Sequence, residues 1–401
     1  MSAATELDKL IEDYIRLAFR IDKHISGLVD AYYGPETLRS EVAAEQPLSL
    51  SWLSGLAEEL ELAFAAHDNL RGNFLRRQVQ ALRAQIADTL SDHRAYDYVT
   101  LVHEMLDVEA QPVPAAQIEA YQSDVRRLLL DLGYRQEPVA AIAAWETDSC
   151  IRGDGLADFC SREVGVLRLA TQRRLPYLPA KETATIEGVT DKPWGAYNWY
   201  LGNYVSRIEL NLDVPMTRQS ALGLLRHEIY PGHHTDHSIH ERICYREQGR
   251  LEVSIKLLNT PDCPIVEGLA DVGYLLLDQH SRDSQAEQLH RTLSDLRRAA
   301  GVNAALLHHQ QGGSVAEATA YRMRVGWVDE RRATQAMKFV VHPLWRAYTF
   351  TYWAGGNLVE QAITAARKGG QLDSLCRLLY TELLTPTMLR AELNRLGVLI
   401  G

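Results

Sequence analysis

The chain has 401 residues, 46% hydrophobic and 23% charged, the composition of an ordinary globular protein with room for a large core or several domains. A formal charge of −10 with no basic block argues against a nucleic-acid partner. No apolar run approaches the roughly 18 residues of a membrane span, which argues against a membrane role.

Leu7, Leu10, Ile11, Tyr14, Leu17, Ala18, Ile21, Ile25 and Leu28 recur at helical spacing and predict one amphipathic helix. The N-terminus lacks a basic start and an apolar core, so no secretory signal is expected. "YYGPE" at 32–36 ends the first helix and opens another, with Pro35 in its first turn. Two or three helices are expected over 51–109, and one more through "AAQIEAYQSDVRRLLLDLG", stopped by Gly133. The five cysteines are odd in number and include no CxxC pair, so they read as reduced thiols in a cytoplasmic protein. A Cys150–Cys160 bridge closing the loop between them is the alternative.

The character changes near residue 180. "TATIEGVT" is rich in β-branched residues, and "AYNWYLGNYVSRIELNLDVP" reads as a hairpin turning at Gly202-Asn203. Over 206–212, Ile208, Leu210 and Leu212 alternate with Arg207, Glu209 and Asn211, the pattern of a half-buried strand. Thr217 is placed to cap the next helix. Helices dominate again after 265, with a capping box in "SVAE" at 314–317 and a last helix in "TPTMLRAELNRLG". The expected fold is mainly α, a multi-helix assembly with a small β element before the histidine cluster. Residues 1–180 form an N-terminal helical region and 181–401 carry the hairpin and the histidines, the two making one continuous compact unit.

That cluster is "LLRHEIYPGHHTDHSIHE", 224–241. His227 and Glu228 begin like a zinc-peptidase helix, but Pro231 stands where the second histidine belongs. On a straight helix His233 lies about 120° off the face of His227, and His234 lies about 10.5 Å along the axis. A kink or bulge at Pro231-Gly232 would absorb two extra residues and swing either one back. Three readings compete: a solvated histidine-rich helix, a metal pair made of His233 and His237, or a site using His227, one of His233 and His234, and Glu228 as general base. "EGLAD" at 267–271 favours the third. Catalytic zinc sites take two histidines and a glutamate, and Glu267 supplies the glutamate within an apolar helix where an unpartnered carboxylate would be costly. Asp271, one turn on, can accept from the free ring nitrogen of a ligating histidine.

"HEIYPGHH" followed by "EGLAD" resembles the bacterial family catalogued as domain of unknown function 885, which is similar to gluzincin-type zinc metallopeptidases. The family has an aromatic residue where Leu269 stands here. "DAYYGPE", "WGAYNWYLGNYVSRIELNLDVP", "EATAYRMRVG" and "HPLWRAYTFTYWAGGNLV" extend the likeness over most of the chain. The resemblance implies a helical fold similar to carboxypeptidase Taq and the oligopeptidases. It implies His227, His233 and Glu267 as ligands of one zinc, with His234 as the alternate to His233 and Asp271 behind the ligands. Manganese or cobalt suits the same donors. Glu228 is then the general base in the cleavage of short peptides by metal-activated water.

The strand over 206–212 would pair with an extended substrate backbone, or serve only as an edge strand. Tyr321, Tyr348 and Tyr352 are the candidate donors to the oxyanion. Arg324 and Arg346 could meet a substrate carboxylate, or pair within the protein. Gly355-Gly356 would permit a close helix approach. Hydrolysis of a non-peptide amide and a non-catalytic metal-binding scaffold are the competing functions.

Overall fold

The computed structural model describes residues 3–151, 155–192, 195–213, 215–277 and 284–400. The first half is helical: α1 (Ala3–Asp22), α2 (Glu36–Ala44), α3 (Leu50–Ala65), α4 (Leu70–Leu90), α5 (Tyr98–Leu106), α6 (Ala115–Asp131), α7 (Pro138–Asp148) and α8 (Gly155–Arg174). Then come α9 (Arg218–Glu228), α10 (His233–His240), α11 (Cys263–Val272), α12 (Gln285–His309), α13 (Val315–Gly326), α14 (Glu330–Val341), α15 (Thr349–Lys368), α16 (Leu372–Thr381) and α17 (Pro386–Arg395). Two small sheets complete the fold. β1 (Val29–Tyr32) pairs antiparallel with β5 (Ile255–Leu257). β2 (Thr183–Val189), β3 (Ala196–Gly202) and β4 (Val205–Asn211) form a sheet of order β2-β4-β3, with β4 parallel to β2 and antiparallel to β3. The protein is thus mainly α with a small β element. No helix among the described residues is long and apolar enough to cross a membrane.

Local signals act where the sequence places them. Thr217 caps α9 by accepting from the Ser220 amide, Ser314 and Glu317 close their capping box, and Gly133 takes a left-handed φ of +94° just past α6. The hairpin between β3 and β4 turns through Gly202, Asn203 and Tyr204, all at positive φ. All five cysteines are free thiols. Of the segment resembling the family, Trp194 and Val214 lie outside the described residues, as do Arg152 to Asp154 between Cys150 and Cys160.

Two expectations need correction. The first helix stops at Asp22 rather than running on through Leu28. Gly27, at φ +86°, turns the chain, and Leu28 is fully buried at the entry to β1. The strand over 206–212 has no free edge for a substrate, because β2 and β3 occupy both of its sides. As the central strand it buries Glu209 and Asn211 along with Ile208 and Leu210, while Leu212, just past its end, is exposed.

Three apolar cores support the helices. One gathers α1, α3 and α4 around β5, a second joins α5, α6 and α7 to α12, and a third packs α8, α9 and α11 against α15, α16 and α17. α11 and α15 meet backbone to backbone. A Cβ added at Gly355 would stand 1.8 Å from the Pro264 carbonyl oxygen, and one at Gly268 would stand 2.4 Å from that of Gly355. Such overlap can be relieved only by separating the helices. Gly355→Ala is therefore expected to cost about 3 kcal/mol, read as a lower denaturation midpoint at unchanged slope. Gly356 has open space beside it, so Gly356→Ala is the matched control and should leave the midpoint near that of the parent.

Candidate metal centre

α9 and α10 are separate helices. The chain leaves the helical path after Glu228 and restarts at His233. Pro231 has no amide to continue the ladder, and the Tyr230–Pro231 peptide is cis. Gly232 lies against the end of α9 so closely that a Cβ would stand 1.8 Å from the His227 carbonyl oxygen. Its amide donates to the Arg226 carbonyl at 3.0 Å. The carbonyls left over by the break find side-chain donors. Asn198 Nδ2 reaches the Glu228 oxygen at 2.6 Å, and the Tyr380 hydroxyl reaches the Pro231 oxygen at 2.8 Å. The two extra residues are thus absorbed by a full break between two helices, in place of the expected kink or bulge within one.

The restart sets which histidine faces His227. His227 Nε2 and His233 Nε2 lie 3.1 Å apart with their rings perpendicular. Glu267 Oε2 is 3.4 Å from the first and 3.7 Å from the second. Nitrogen lone pairs this close need a proton or a cation between them. Glu267 Oε2 is buried and makes no hydrogen bond of its own, an orphan that a cation would satisfy. The three donor atoms lie within 4.8 Å of one another, so His227, His233 and Glu267 are able to hold a metal ion.

The surroundings orient these donors. Asp271 Oδ1 stands 2.9 Å from His227 Nδ1, which places the ring proton there and leaves Nε2 to face inward. Arg298 of α12 sits 2.9 Å from the other Asp271 oxygen. Tyr348 donates to Glu267 Oε1 at 2.8 Å, leaving Oε2 for the centre. Burial alone would lower the pKa of His227, but the Asp271 and Glu267 carboxylates outweigh it and hold the imidazolium well above its usual range. Burial alone would raise the Glu267 and Asp271 carboxyls. The two histidines for Glu267, and Arg298 with His227 for Asp271, hold them below the ordinary carboxylate range instead. Tyr348→Phe removes a donor to a ligand carboxylate, and is expected to weaken zinc affinity roughly 10- to 100-fold in a chelator competition titration.

Glu228 is buried at the last turn of α9, and burial pushes its carboxyl above the usual range. It lines a cavity of about 470 Å³ together with His227, His233 and Glu267. Phe339, Trp345, Tyr348 and Tyr352 form an aromatic wall of this cavity. The Tyr352 hydroxyl makes no hydrogen bond to a described residue. Residues from all three apolar cores contribute to the lining, so the cavity sits where those cores meet.

Other candidates fall elsewhere. His234 is fully buried on the far side of α10, with Nδ1 2.8 Å from Ser206 Oγ and Nε2 2.9 Å from Glu182 Oε2. Both ring nitrogens are engaged, so His234 is no alternate ligand. Glu182 also accepts from Tyr230 and Arg168, making this a structural network. α10 is buried from His234 to His240, which rules out the solvated histidine-rich helix. His237 stacks on His233 at 6.1 Å and stands outside the donor trio. Tyr321 points away from the cavity, accepting from Asn303 at 3.1 Å beneath the Arg324 guanidinium. Arg346 is committed to Asp88, 2.6 Å from both its oxygens. Sequence reasoning misses Asp30, Tyr197, Asn198 and Lys256, which also line the cavity. A lone lysine in the apolar stretch "SIKLL" is the one available signal.

Solved structures align with this chain. A Colwellia psychrerythraea protein described as a lipoprotein matches 90% of this chain at a TM-score of 0.57 and 14% identity, and the chain spans 63% of that protein. A Shewanella oneidensis protein, described as a lipoprotein of unknown function, matches 90% of the chain at 0.55 and 14%, with 70% of its own length covered. An M32 carboxypeptidase from Deinococcus radiodurans R1 aligns over 96% of this chain and 95% of its own, at 12% identity and a TM-score of 0.40. No family model and no curated protein matches the chain.

Proposed function

We propose that this protein is a zinc-dependent hydrolase, a peptidase acting on short peptides, of the kind that resemblance to the domain of unknown function 885 implies. The observation that carries the reading is the convergence of two imidazole nitrogens and an orphaned carboxylate oxygen in a cavity that also receives Glu228. Two histidines and a glutamate suit zinc, and leave a coordination position for water or substrate. When bound, the ion would supply Lewis acidity that lowers the pKa of water and polarises an amide carbonyl.

The rest is done by the chain. Glu228, with its carboxyl raised by burial, takes a proton from the attacking water and delivers it to the departing amine. Tyr352, on the cavity wall, is the better donor to the developing oxyanion, because Tyr348 is already committed to Glu267. β3 lines the cavity at Ala196, Tyr197 and Asn198 and can align a substrate backbone. A volume of about 470 Å³ lies in the small-molecule range and suits a short substrate. The same size favours, as a second reading, an acylated amino acid in place of a peptide. A scaffold role would have no use for Glu228 in this position.

The deciding experiment is metal analysis of the purified protein followed by exposure to a library of short peptides. About one zinc per chain and cleavage within the library are expected. No tight metal binding after zinc is supplied would sink the reading.

A further inference from the structure

Lys256 is the middle residue of β5. Ile255 and Leu257 join the N-terminal core, and Lys256 between them lines the cavity, which Leu257 and Leu258 also border. It is only 9% exposed. An ammonium group this buried calls for a counter-charge or hydrogen-bond acceptors. Among the described residues none is in contact. No carboxylate oxygen lies within 4.0 Å of its Nζ, and it donates no hydrogen bond.

The neighbouring carboxylates are turned to other groups. The β1–β5 register slips between Val29 and Ala31, and Asp30, at the slip, reaches the cavity and accepts from the Tyr197 phenol. Asp236 faces His240 at 3.1 Å and His237 at 3.7 Å. Asp262 accepts from Gln78 at 2.6 Å and from Thr260 at 2.8 Å. Glu267 is held by Tyr348 and faces the two histidines. One positive side chain thus shares the cavity with the donor trio, within electrostatic reach of Asp30 and Asp236 but in an ion pair or hydrogen bond with no described residue.

We propose that Lys256 binds a carboxylate of the substrate, so that the amides taken by this site carry a free carboxylate close to the scissile bond. This rests on the hydrolase reading above and narrows its substrate class. The carboxylate can be the C-terminus of a short peptide or acylated amino acid, or an acidic side chain next to the cleaved bond. A lysine is suited to either, as a compact charge on a flexible stem.

The test reads binding instead of turnover. Protein carrying Glu228→Gln, with and without zinc, is titrated calorimetrically with three probes: N-acetyl-glycyl-phenylalanine, its C-terminal amide, and N-acetyl-glycyl-glutamate α-amide. At least one carboxylate probe is expected to bind about tenfold or more tightly than the plain amide, as a charge-assisted hydrogen bond requires. Lys256→Met should erase that difference while leaving the plain amide unchanged, and Lys256→Arg should keep part of it. Preference for the first probe assigns the α-carboxylate, and preference for the third assigns a side chain. Equal binding of all three, binding of none, or a preference that survives Lys256→Met overturns the proposal. The comparison with Lys256 intact decides even where Lys256→Met fails to fold. Carboxylate preference without any zinc binding would overturn the hydrolase reading alone.

Discussion

Alanine in place of His227, His233 or Glu267 is expected to cut zinc content from about one per chain to below about a tenth, whereas His234→Ala should leave it near one. The contrast follows from geometry. The first three side chains bring Nε2, Nε2 and Oε2 within 4.8 Å of one another, and removing any one leaves only two protein donors. His234, one residue along from His233, points to the opposite side of α10 and spends both nitrogens on Ser206 and Glu182. Its removal opens a cavity and takes one hydrogen bond each from Ser206 and Glu182, although Arg168 and Tyr230 still hold Glu182, so His234→Ala should lose about 3 kcal/mol of stability while keeping its metal. Plasma mass spectrometry beside a denaturation curve separates the two effects. Zinc retained in Glu267→Ala, or lost in a folded His234→Ala, would refute this ligand set.

Glu228→Gln is expected to reduce kcat on any cleaved peptide by about 10²- to 10⁴-fold with zinc content unchanged, the range for removing a general base. The substitution keeps the shape of the side chain and removes its ability to accept a proton. Glu228 lines the cavity beside the donor trio without belonging to it, so metal content and turnover should separate cleanly in this one variant. An unchanged kcat would show that another group moves the proton. Zinc lost along with activity would mean that Glu228 is a ligand.

Much of this site is legible in the sequence, and what is not has identifiable causes. Glu267 stands out because its neighbours in "PIVEGLADVGYLLL" are apolar, and a buried carboxylate needs a reason to be there. Asp271 follows from helical spacing alone. The choice between His233 and His234 does not, because it depends on where the chain restarts after Pro231. That point is set by the contact of Gly232 with the end of α9, which no spacing rule describes. Asp30, Tyr197 and Lys256 arrive on three strands from distant parts of the chain, and only the pairing of β1 with β5 brings two of them together. Tyr321 reads as well from sequence as Tyr352 does, yet its partner Asn303 holds it elsewhere. The first helix is easier, since it repeats apolar residues at helical spacing, whereas α7 and α8 offer no such stripe and are not read from the sequence. The strand over 206–212 has a readable alternation, but whether its edges are free is decided by its neighbours.

The glycine contact between α11 and α15 gives the cavity one stiff side. Gly268 and Gly355 leave no side chain between the two backbones whose change of rotamer could let the helices slide. Glu267 rides on the first helix, and Tyr348 stands at the start of the second, so carboxylate and phenol move as one body. His227 and His233 instead sit on two short helices joined by the four residues 229–232. That junction is itself buried and tied down, by the Gly232 amide on the Arg226 carbonyl and the Tyr380 hydroxyl on the Pro231 carbonyl, so all three donors are held on fixed backbone.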